Sequence, residues 1–380
     1  MRDSNLSDEE RLLLLLSTPL PEKTCEDEIA KILTNNDLLD YKKIYRLAMA
    51  NGVAGFVHKN SQNKRIFPEP IQTDLHKFYR QTAFNNIQLF RKTLEILQLL
   101  SRNNIKTMPL KGATASDLVF NDFGVYPSGD IDVLVHPSDL QLSKKLLCSE
   151  GGFHQIQEIA ENDLLSDHYH LILQSNKALL EIHWNLVKRY FRISPDFWFE
   201  GSKEILWNGI HTFELSIEKY IIYHIFRLFD HCFYPLRFYI LLGSIIDQNP
   251  DRINWEKLIG FSDQYKMKKL VLFCLGLLKD LLNTNIPPHL LPQKNRRYQY
   301  LKGLALHGIF SGLHNKHRRM MLYTLLLIKP ETLIAILTKR IFPSKGELRL
   351  RYSIPPESRK IYLFYILNPF LLLFKKSEAR

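Results

Sequence analysis

The sequence of 380 residues lacks several features that define large classes of proteins. Its four cysteines, Cys25, Cys148, Cys232 and Cys274, are too widely spaced for a paired zinc-ligand motif or a small disulfide framework. No apolar run reaches the ~20 residues that a transmembrane helix needs. The leucines at Leu12–Leu16 follow three acidic residues and form too short a run for a signal peptide. We therefore expect a cytoplasmic protein with reduced cysteines.

Signatures of nucleic-acid binding are also absent. The chain has no helix-turn-helix, zinc-finger or aromatic RNA-binding motif, and no internal repeat. The net charge of +12 arises at the end of the chain, where residues 290–380 hold 18 Lys and Arg against 4 Glu. The remainder holds 33 basic against 35 acidic residues. Charge alone leaves nucleic acid open as a partner, but no motif supports it.

What is present predicts an α+β protein with a large core, because 45% of the residues are apolar. Helical periodicity is clear at 71–102, and Ser7 with Glu10 forms a capping-box pattern at the first helix. Short strands are predicted at 105–108, 131–135, 153–158, 168–174 and 178–183, which would form a small mixed sheet. Beyond Ser194 the pattern predicts helices only. We predict an N-terminal helical region at 1–104, an α+β core at 105–193, a helical domain at 194–330 and a basic, apolar C-terminal tail at 331–380.

The central stretch, residues 109–135, carries two carboxylates on one predicted strand. Asp130 and Asp132 are separated by one apolar residue and precede Val133–Val135, so both would leave the same face of the strand. Carboxylates this close raise each other's pKa unless a cation compensates. An Asp-x-Asp pair is common on loops, but in this context the pair predicts a metal site.

A glycine turn opens the same stretch. Lys111 and Gly112 follow the first predicted strand and precede a predicted helix, and a glycine there lets backbone amides approach a phosphate. By itself a Lys-Gly pair at a strand end indicates only a turn.

The motifs LKG, SGDIDVLV and LLEIHWNL occur in this order, and together they resemble the polymerase-β-like nucleotidyltransferase superfamily. Within it, the chain is most similar to a bacterial group of uncharacterised nucleotidyltransferase-family proteins. The resemblance implies a glycine turn that opens a helix, an acidic-apolar-acidic strand and a third acidic residue on a neighbouring strand. It covers most of the chain but is specific only at 110–135 and 178–186.

The resemblance implies a Mg²⁺-dependent transfer of a nucleoside monophosphate from an NTP to a hydroxyl, with release of pyrophosphate. Asp130, Asp132 and Glu181 would bind two Mg²⁺ ions, and Glu181 would complete the second site or act as general base. Glu181 could instead pair with Lys188 or Arg189. The residues expected to contact the nucleotide are Lys111, Gly112, Ser128 and His183.

The chain departs from the group in two places. Ala113 follows Gly112 where the superfamily often has a serine, which removes a hydroxyl contact to phosphate. Tyr126 stands four residues before Asp130, where close members tend to have an arginine. A non-catalytic nucleotide-binding protein is therefore an alternative function, and a toxin-like transferase that modifies tRNA or protein is another.

Two further groups of residues leave alternatives open. His183 is either a core residue or a group that orients Glu181 or touches a phosphate, and with His168 and His170 it could mimic a zinc cluster. The positions of His224, Arg227 and Asp230 on one predicted helix suit either a pocket wall or an ion-pair network.

The apolar run at 361–374, flanked by Lys and Arg, suits peripheral contact with an anionic membrane or packing against the helical domain.

Overall fold

Helices build both ends of the protein, and a small sheet lies between them in the chain. The computed structural model describes residues 6–19, 23–35, 38–156, 169–188, 191–352, 354–355 and 358–374. The N-terminal helices are α1 Asp8–Ser17, α2 Lys23–Asn35, α3 Tyr41–Ala50, α4 Ala54–Ser61 and α5 Glu69–Arg102. The predicted capping box at Ser7 is confirmed, since Ser7 Oγ accepts from the Glu10 amide at 3.4 Å and the Glu10 carboxylate accepts from the Ser7 amide at 3.1 Å.

The central part of the chain alternates strands and helices. Its elements are β1 Thr107–Pro109, α6 Ala113–Leu118, β2 Ile131–Val135, a 3₁₀ turn at Pro137–Asp139, α7 Leu140–Ser149, β3 His154–Gln155, β4 His170–Gln174 and β5 Leu179–His183. The predicted strands therefore exist, although several are shorter than expected. The part of the third predicted strand beyond residue 156 lies outside the described residues.

The five strands form one mixed sheet in the order β1-β2-β5-β4-β3. Strands β2 and β5 are parallel, and the other neighbouring pairs are antiparallel. In the parallel pair Asp132 lies opposite Glu181. The predicted α+β fold with a small mixed sheet is confirmed, and its central strands are the ones that carry the acidic motif.

After the sheet the chain is helical apart from one hairpin. The remaining elements are α8 Pro195–Phe199, β6 Lys203–Trp207, β7 Ile210–Glu214, α9 Ile217–Asp230, α10 Leu236–Asp247, α11 Trp255–Gln264, α12 Lys268–Leu282, a 3₁₀ turn at Pro288–Leu290, α13 Arg296–Ser311, α14 Lys316–Leu327, α15 Pro330–Ile341, α16 Lys345–Tyr352 and α17 Lys360–Phe374.

The hairpin β6–β7 corrects the expectation of helices only beyond Ser194. Asn208 and Gly209 join its strands with φ angles of 49° and 77°, the left-handed pair that a tight hairpin turn requires. An Asn-Gly pair between apolar residues was the available signal. Thr212 Oγ1 of the hairpin donates to the Thr107 carbonyl of β1 at 2.8 Å, and this hydrogen bond joins the hairpin to the sheet.

Two clusters of buried side chains hold the protein together. The sheet core lies between the sheet, α7 and the second half of α5, where Ile96 and Leu100 are buried. The helical core joins α1, α3 and α4 to α9–α14 and includes Leu75 from the first half of α5. Helix α5, of 34 residues, therefore contributes to both cores. The division of the chain into four regions stays a prediction.

The C-terminal helices α15–α17 pack on one another. Among the described residues, no helix combines the length and the apolar character needed to cross a membrane. Cys148, Cys232 and Cys274 carry free thiols, and the last two are buried.

Candidate active site

Strand β2 places two carboxylates on the same face of the sheet. Asp130 directly precedes the strand, and Asp132 is its second residue. The Asp132 side chain is fully buried, whereas the Asp130 side chain is 29% exposed and reaches solvent at the edge of the site. The pair can therefore face a ligand from a rigid strand with one oxygen-bearing group held deep and one near the surface.

Glu181 joins these two aspartates because of the register of the parallel pair. It lies opposite Asp132 on β5. Asp130, Asp132 and Glu181 each offer one oxygen, and the three atoms lie within 4.8 Å of one another. Carboxylate oxygens at this spacing suit a hard divalent cation. The structure thus brings together the three acidic residues named from the sequence, in an arrangement that could bind such a cation.

Lys111 contacts both aspartates through its ammonium group. Its Nζ is 2.6 Å from Asp132 Oδ2 and 3.2 Å from Asp130 Oδ2. Lys111 was expected from the sequence to contact the nucleotide, and that role stays a prediction. In the structure its ammonium forms ion pairs with both aspartates.

His183 contacts Asp132 and Glu181, two of the three carboxylates. Its Nε2 is 2.9 Å from Asp132 Oδ1 and 3.3 Å from Glu181 Oε2, and its side chain is 6% exposed. The imidazole therefore holds two of the three carboxylates in position. His170, Glu181 and His183 form a second group whose ligand atoms lie within 4.8 Å of one another. His168, the third histidine of the zinc alternative, lies outside the described residues.

The ionisation of the site follows from these contacts. Burial raises the pKa of Asp130, and the neighbouring Asp132 raises it further. Burial alone would also raise the pKa of Asp132, but Lys111 and His183 bring it well below its usual range. Burial opposes the imidazolium of His183, yet Asp132 and Glu181 raise its pKa. Lys111 and His183 thus favour the charged form of Asp132, whereas the pKa of Asp130 stays raised.

Gly112 has a backbone conformation that favours glycine. Its φ is 75° and its ψ is −132°, at the N-cap of α6. A Cβ at this position would lie 3.1 Å from the Asp130 carbonyl oxygen and 3.5 Å from Ser128 Oγ. The glycine therefore lets the turn pass close to the segment that leads into the acidic strand. Ser128 Oγ is buried and has no hydrogen-bond partner among the described residues.

The residues that follow His183 are structural. Asn185 Oδ1 accepts from the Leu186 amide and from Trp198 Nε1, both at 2.8 Å, and Asn185 Nδ2 donates to the Ile193 carbonyl at 2.8 Å. This network fixes the chain as it leaves the sheet. Lys188 pairs with Asp230 at 3.1 Å rather than with Glu181, and Arg189 lies outside the described residues.

Helix α9 lies against the glycine turn. Tyr220 donates its hydroxyl hydrogen to the Leu110 carbonyl at 2.6 Å, and its ring packs against His224. Burial, Arg227 and Lys111 hold the pKa of His224 well below its usual range. The helix, for which the sequence left a pocket wall and an ion-pair network open, therefore lies beside the site, and Asp230 at its end forms an ion pair with Lys188.

Sequence reasoning missed Arg237. Its Nη1 donates to the Pro127 carbonyl at 3.3 Å, and its guanidinium lies 6.0 Å from the ring of Tyr126. The available signal was a single cation within the otherwise apolar helix α10, LRFYILLGSIID, because such a charge needs a partner in the fold.

A family model described as "Uncharacterised nucleotidyltransferase" matches residues 37–283. The chain belongs to this family. The match includes the whole sheet, the acidic group and helices α9–α12, which is the part of the protein that builds the site. No curated protein and no solved structure matches the chain. As a nucleotidyltransferase-family protein it carries an acidic group that could hold a divalent cation, as such enzymes do.

Proposed function

We propose that the protein transfers a nucleoside monophosphate from an NTP to the hydroxyl of an acceptor and uses Mg²⁺ held by Asp130, Asp132 and Glu181. The observation that carries this proposal is the meeting of these three carboxylates beside the Gly112 turn. A metal bound there would draw charge from the triphosphate and lower the barrier to attack. The acceptor class includes small molecules, sugars, peptides and proteins.

The proposed reaction has no covalent enzyme intermediate. The acceptor oxygen forms a bond to the α-phosphorus, and the bond from that phosphorus to the oxygen that bridges to the β-phosphate breaks. Pyrophosphate leaves with the electron pair of that bond. Glu181 is the proposed acceptor of the hydroxyl proton, because it is the carboxylate of the group that lies on the neighbouring strand and is 21% exposed. His183 would keep Glu181 and Asp132 oriented, and Lys111, Gly112 and Ser128 would face the phosphates.

The test of this function compares the wild type with the double variant Asp130→Asn and Asp132→Asn. Binding of each of the four NTPs is measured with and without Mg²⁺, and pyrophosphate release is followed after cell extract is added as a source of acceptors. We expect metal-dependent binding and acceptor-dependent release in the wild type only. Asp139→Asn, in the turn after β2, is the matched control. Metal-dependent binding without release in any extract would favour the non-catalytic nucleotide-binding alternative.

A second proposed function is contact with an anionic membrane surface through α17. One side of this helix is packed: Ile361 is buried, and the buried Asn368 accepts from Arg351 Nη1 and from the Tyr352 hydroxyl at 2.8 Å each. The other side is apolar and exposed, with exposures of 36–67% at Tyr362, Leu363, Ile366, Leu367 and Leu371. An apolar helix face that is exposed to solvent is unusual for a monomeric protein, and it suits the interfacial region of a bilayer.

Basic side chains border this face, which favours anionic lipid over another apolar surface. Lys345 Nζ lies 5.2 Å from the ring of Tyr362, and Arg359 and Lys360 are exposed at the start of the helix. Cations near a bilayer surface add to the attraction of buried apolar groups.

Vesicle sedimentation tests the membrane contact. The wild type should pellet with vesicles that contain phosphatidylglycerol and should stay in solution with phosphatidylcholine alone. Leu363→Glu with Ile366→Glu should abolish pelleting, and Leu142→Glu, an equally apolar exposed position on α7, should leave it unchanged. Concentration-dependent dimerisation that the double variant removes, without any vesicle binding, would mean that a second copy covers the face instead.

A further inference from the structure

Two arginines from the helical region meet at the segment that leads into the acidic strand. Arg227 of α9 and Arg237 of α10 both lie near the ring of Phe238, with guanidinium-to-ring distances of 4.4 Å and 5.3 Å. Arg237 donates to the Pro127 carbonyl and faces the Tyr126 ring. Burial alone would lower the pKa of Arg227, but Tyr223 and Tyr126 raise it. Both cations are therefore placed at residues 126–127, three to four positions before Asp130.

Neither guanidinium has an acidic partner among the residues that the structure describes. Within the described part of the chain, no carboxylate forms an ion pair with Arg227 or Arg237, and the Nη1 of Arg227 and the Nε of Arg237 are buried without a hydrogen-bond acceptor. Buried donors are nearly always satisfied in folded proteins, and an uncompensated buried charge is costly. An anionic ligand would accept hydrogen bonds from these donors and would also compensate the positive charges.

A third unsatisfied group lies nearby. Ser128 Oγ is buried without a partner, and it is the side chain next to the Gly112 turn, 3.5 Å from where a Cβ of that residue would be. Arg237 contacts Pro127, the residue that directly precedes this serine. Arg237 is thus linked through Pro127 to Ser128, which lies next to the glycine turn.

The helical region and the sheet bring charges of opposite sign to this part of the protein. The helical side carries Arg227 and Arg237, while the sheet side carries the three carboxylates with Lys111. Arg227 and Lys111 both act on the buried His224, so the positive groups of the two sides are close enough to affect one side chain. A ligand that suits this arrangement of charges has phosphate groups for the arginines and a metal ion for the carboxylates.

We propose that Arg227, Arg237 and Ser128 bind the polyphosphate chain of the nucleotide, so that the helical region holds the phosphates and the sheet holds the metal. This inference rests on the proposed nucleotidyl transfer and assigns its phosphate-binding residues. The cations reach residues 126–128 from helices distant in sequence, around Tyr126. Charge on the departing pyrophosphate would be neutralised by guanidinium groups, whose planar donors suit phosphate oxygens.

Inorganic tripolyphosphate tests this site without catalysis. Its binding to the full chain is measured by calorimetry in the presence of Mn²⁺ for the wild type, Arg227→Gln, Arg237→Gln and Ser128→Ala. We expect at least tenfold weaker binding for each arginine variant and a smaller loss for Ser128→Ala. Arg252→Gln, an exposed arginine paired with Glu214 at 3.2 Å, is the matched control and should bind as the wild type does.

Binding of Mn²⁺ alone, followed by electron paramagnetic resonance, separates this inference from the proposed function. The arginine variants should keep the Mn²⁺ affinity of the wild type, and the double aspartate variant should lose it. Wild-type tripolyphosphate affinity in both Arg227→Gln and Arg237→Gln would overturn the anion site even if nucleotidyl transfer is observed. Arginine-dependent binding together with Mn²⁺ binding that ignores the aspartates would overturn the transferase and leave the anion site. If Arg227→Gln does not fold, Arg237→Gln and Arg237→Lys decide the question.

Discussion

Gly112 is the residue at which backbone conformation and site geometry are most closely linked. Its φ of 75° lies in the region that side chains disfavour, and the Asp130 carbonyl approaches the position of a Cβ to 3.1 Å. Any larger residue must therefore both adopt a strained backbone and displace the segment that carries the first aspartate.

We predict that Gly112→Ala lowers the free energy of unfolding by about 1–3 kcal/mol, because the variant keeps the strained conformation or shifts the turn. It should also weaken tripolyphosphate binding, since Ser128 is next to the turn. Chemical denaturation and calorimetry measure the two effects. Gly129→Ala is the control in the same segment, because its φ is not positive and a Cβ there meets nothing within 4 Å. Equal stability of the two variants would contradict the prediction.

A second residue-scale feature is the buried lysine of α9. Lys219 is 2% exposed, and its Nζ donates to the carbonyls of Phe197 and Glu200 and lies over the Phe197 ring. Burial lowers its pKa to about 8, below the ~10.4 of a lysine in an unfolded chain. Between these values the unfolded state binds more protons than the folded state, so stability rises with pH.

The pH dependence of unfolding tests this relation. We predict that the free energy of unfolding of the wild type, relative to that of Lys219→Met, rises by up to about 3 kcal/mol from pH 8 to pH 10.4. Below pH 8 the difference should be constant. Lys268→Met, whose side chain is 43% exposed and pairs with Asp263, is the control and should follow the wild type. Parallel curves for the wild type and Lys219→Met would contradict the lowered pKa.

At the scale of elements, α5 holds the loop that leads into β2. Asn86 is fully buried, and its Nδ2 donates to the carbonyls of Phe123 and Tyr126 at 2.7 Å each. One side chain on a long helix thus fixes both ends of a short irregular segment. Because that segment continues to Asp130, the position of the acidic pair depends on a helix outside the sheet.

We predict that Asn86→Ala destabilises the protein by about 2–4 kcal/mol, because two buried carbonyls lose their donor and a cavity remains. The affinity for Mn²⁺ should fall as well, since the Asp130 segment loses its anchor. Denaturant titration and Mn²⁺ binding measure these effects. Asn85→Ala changes the neighbouring exposed position and should alter neither. Unchanged metal affinity in a destabilised Asn86→Ala would show that β2 alone positions the aspartates.

At the scale of the whole molecule, α5 links the two cores. Leu75 in its first half is fully buried in the helical core, and Ile96 in its second half is 1% exposed in the sheet core. Because α5 is continuous, unfolding of its middle would remove contacts from both cores. We therefore expect the two cores to unfold together.

We predict a single unfolding transition in which Leu75→Ala and Ile96→Ala each cost about 2–5 kcal/mol. Circular dichroism and tryptophan fluorescence should give coincident curves for the wild type and both variants. The fluorescence reports on both cores, since Trp198 lies in the helical core and Trp184 and Trp207 lie in the sheet core. Separate transitions, with each variant shifting only one, would show that the cores unfold independently.

Much of the fold was predictable because its signals are local. The acidic-apolar-acidic strand was predicted with its observed bounds, and periodicity located α9 and most of α5. The hairpin β6–β7 was missed even though Asn208-Gly209 marked its turn, because its strands are short and border long helical segments. Its place beside β1 depends on a hydrogen bond between Thr212 and Thr107, 105 positions apart.

The sequence by itself determined which groups the site contains: its order of glycine turn, aspartate pair and EIHW strand is set by local patterns of polarity and turn propensity. Only the tertiary structure decided how they meet. The parallel register of β2 and β5 places Glu181 opposite Asp132, and His183 reaches Asp132 across 51 positions of the chain. The packing of α9 and α10 brings Arg227 and Arg237 to the same place. These contacts depend on burying whole surfaces against one another, a property that no local stretch encodes.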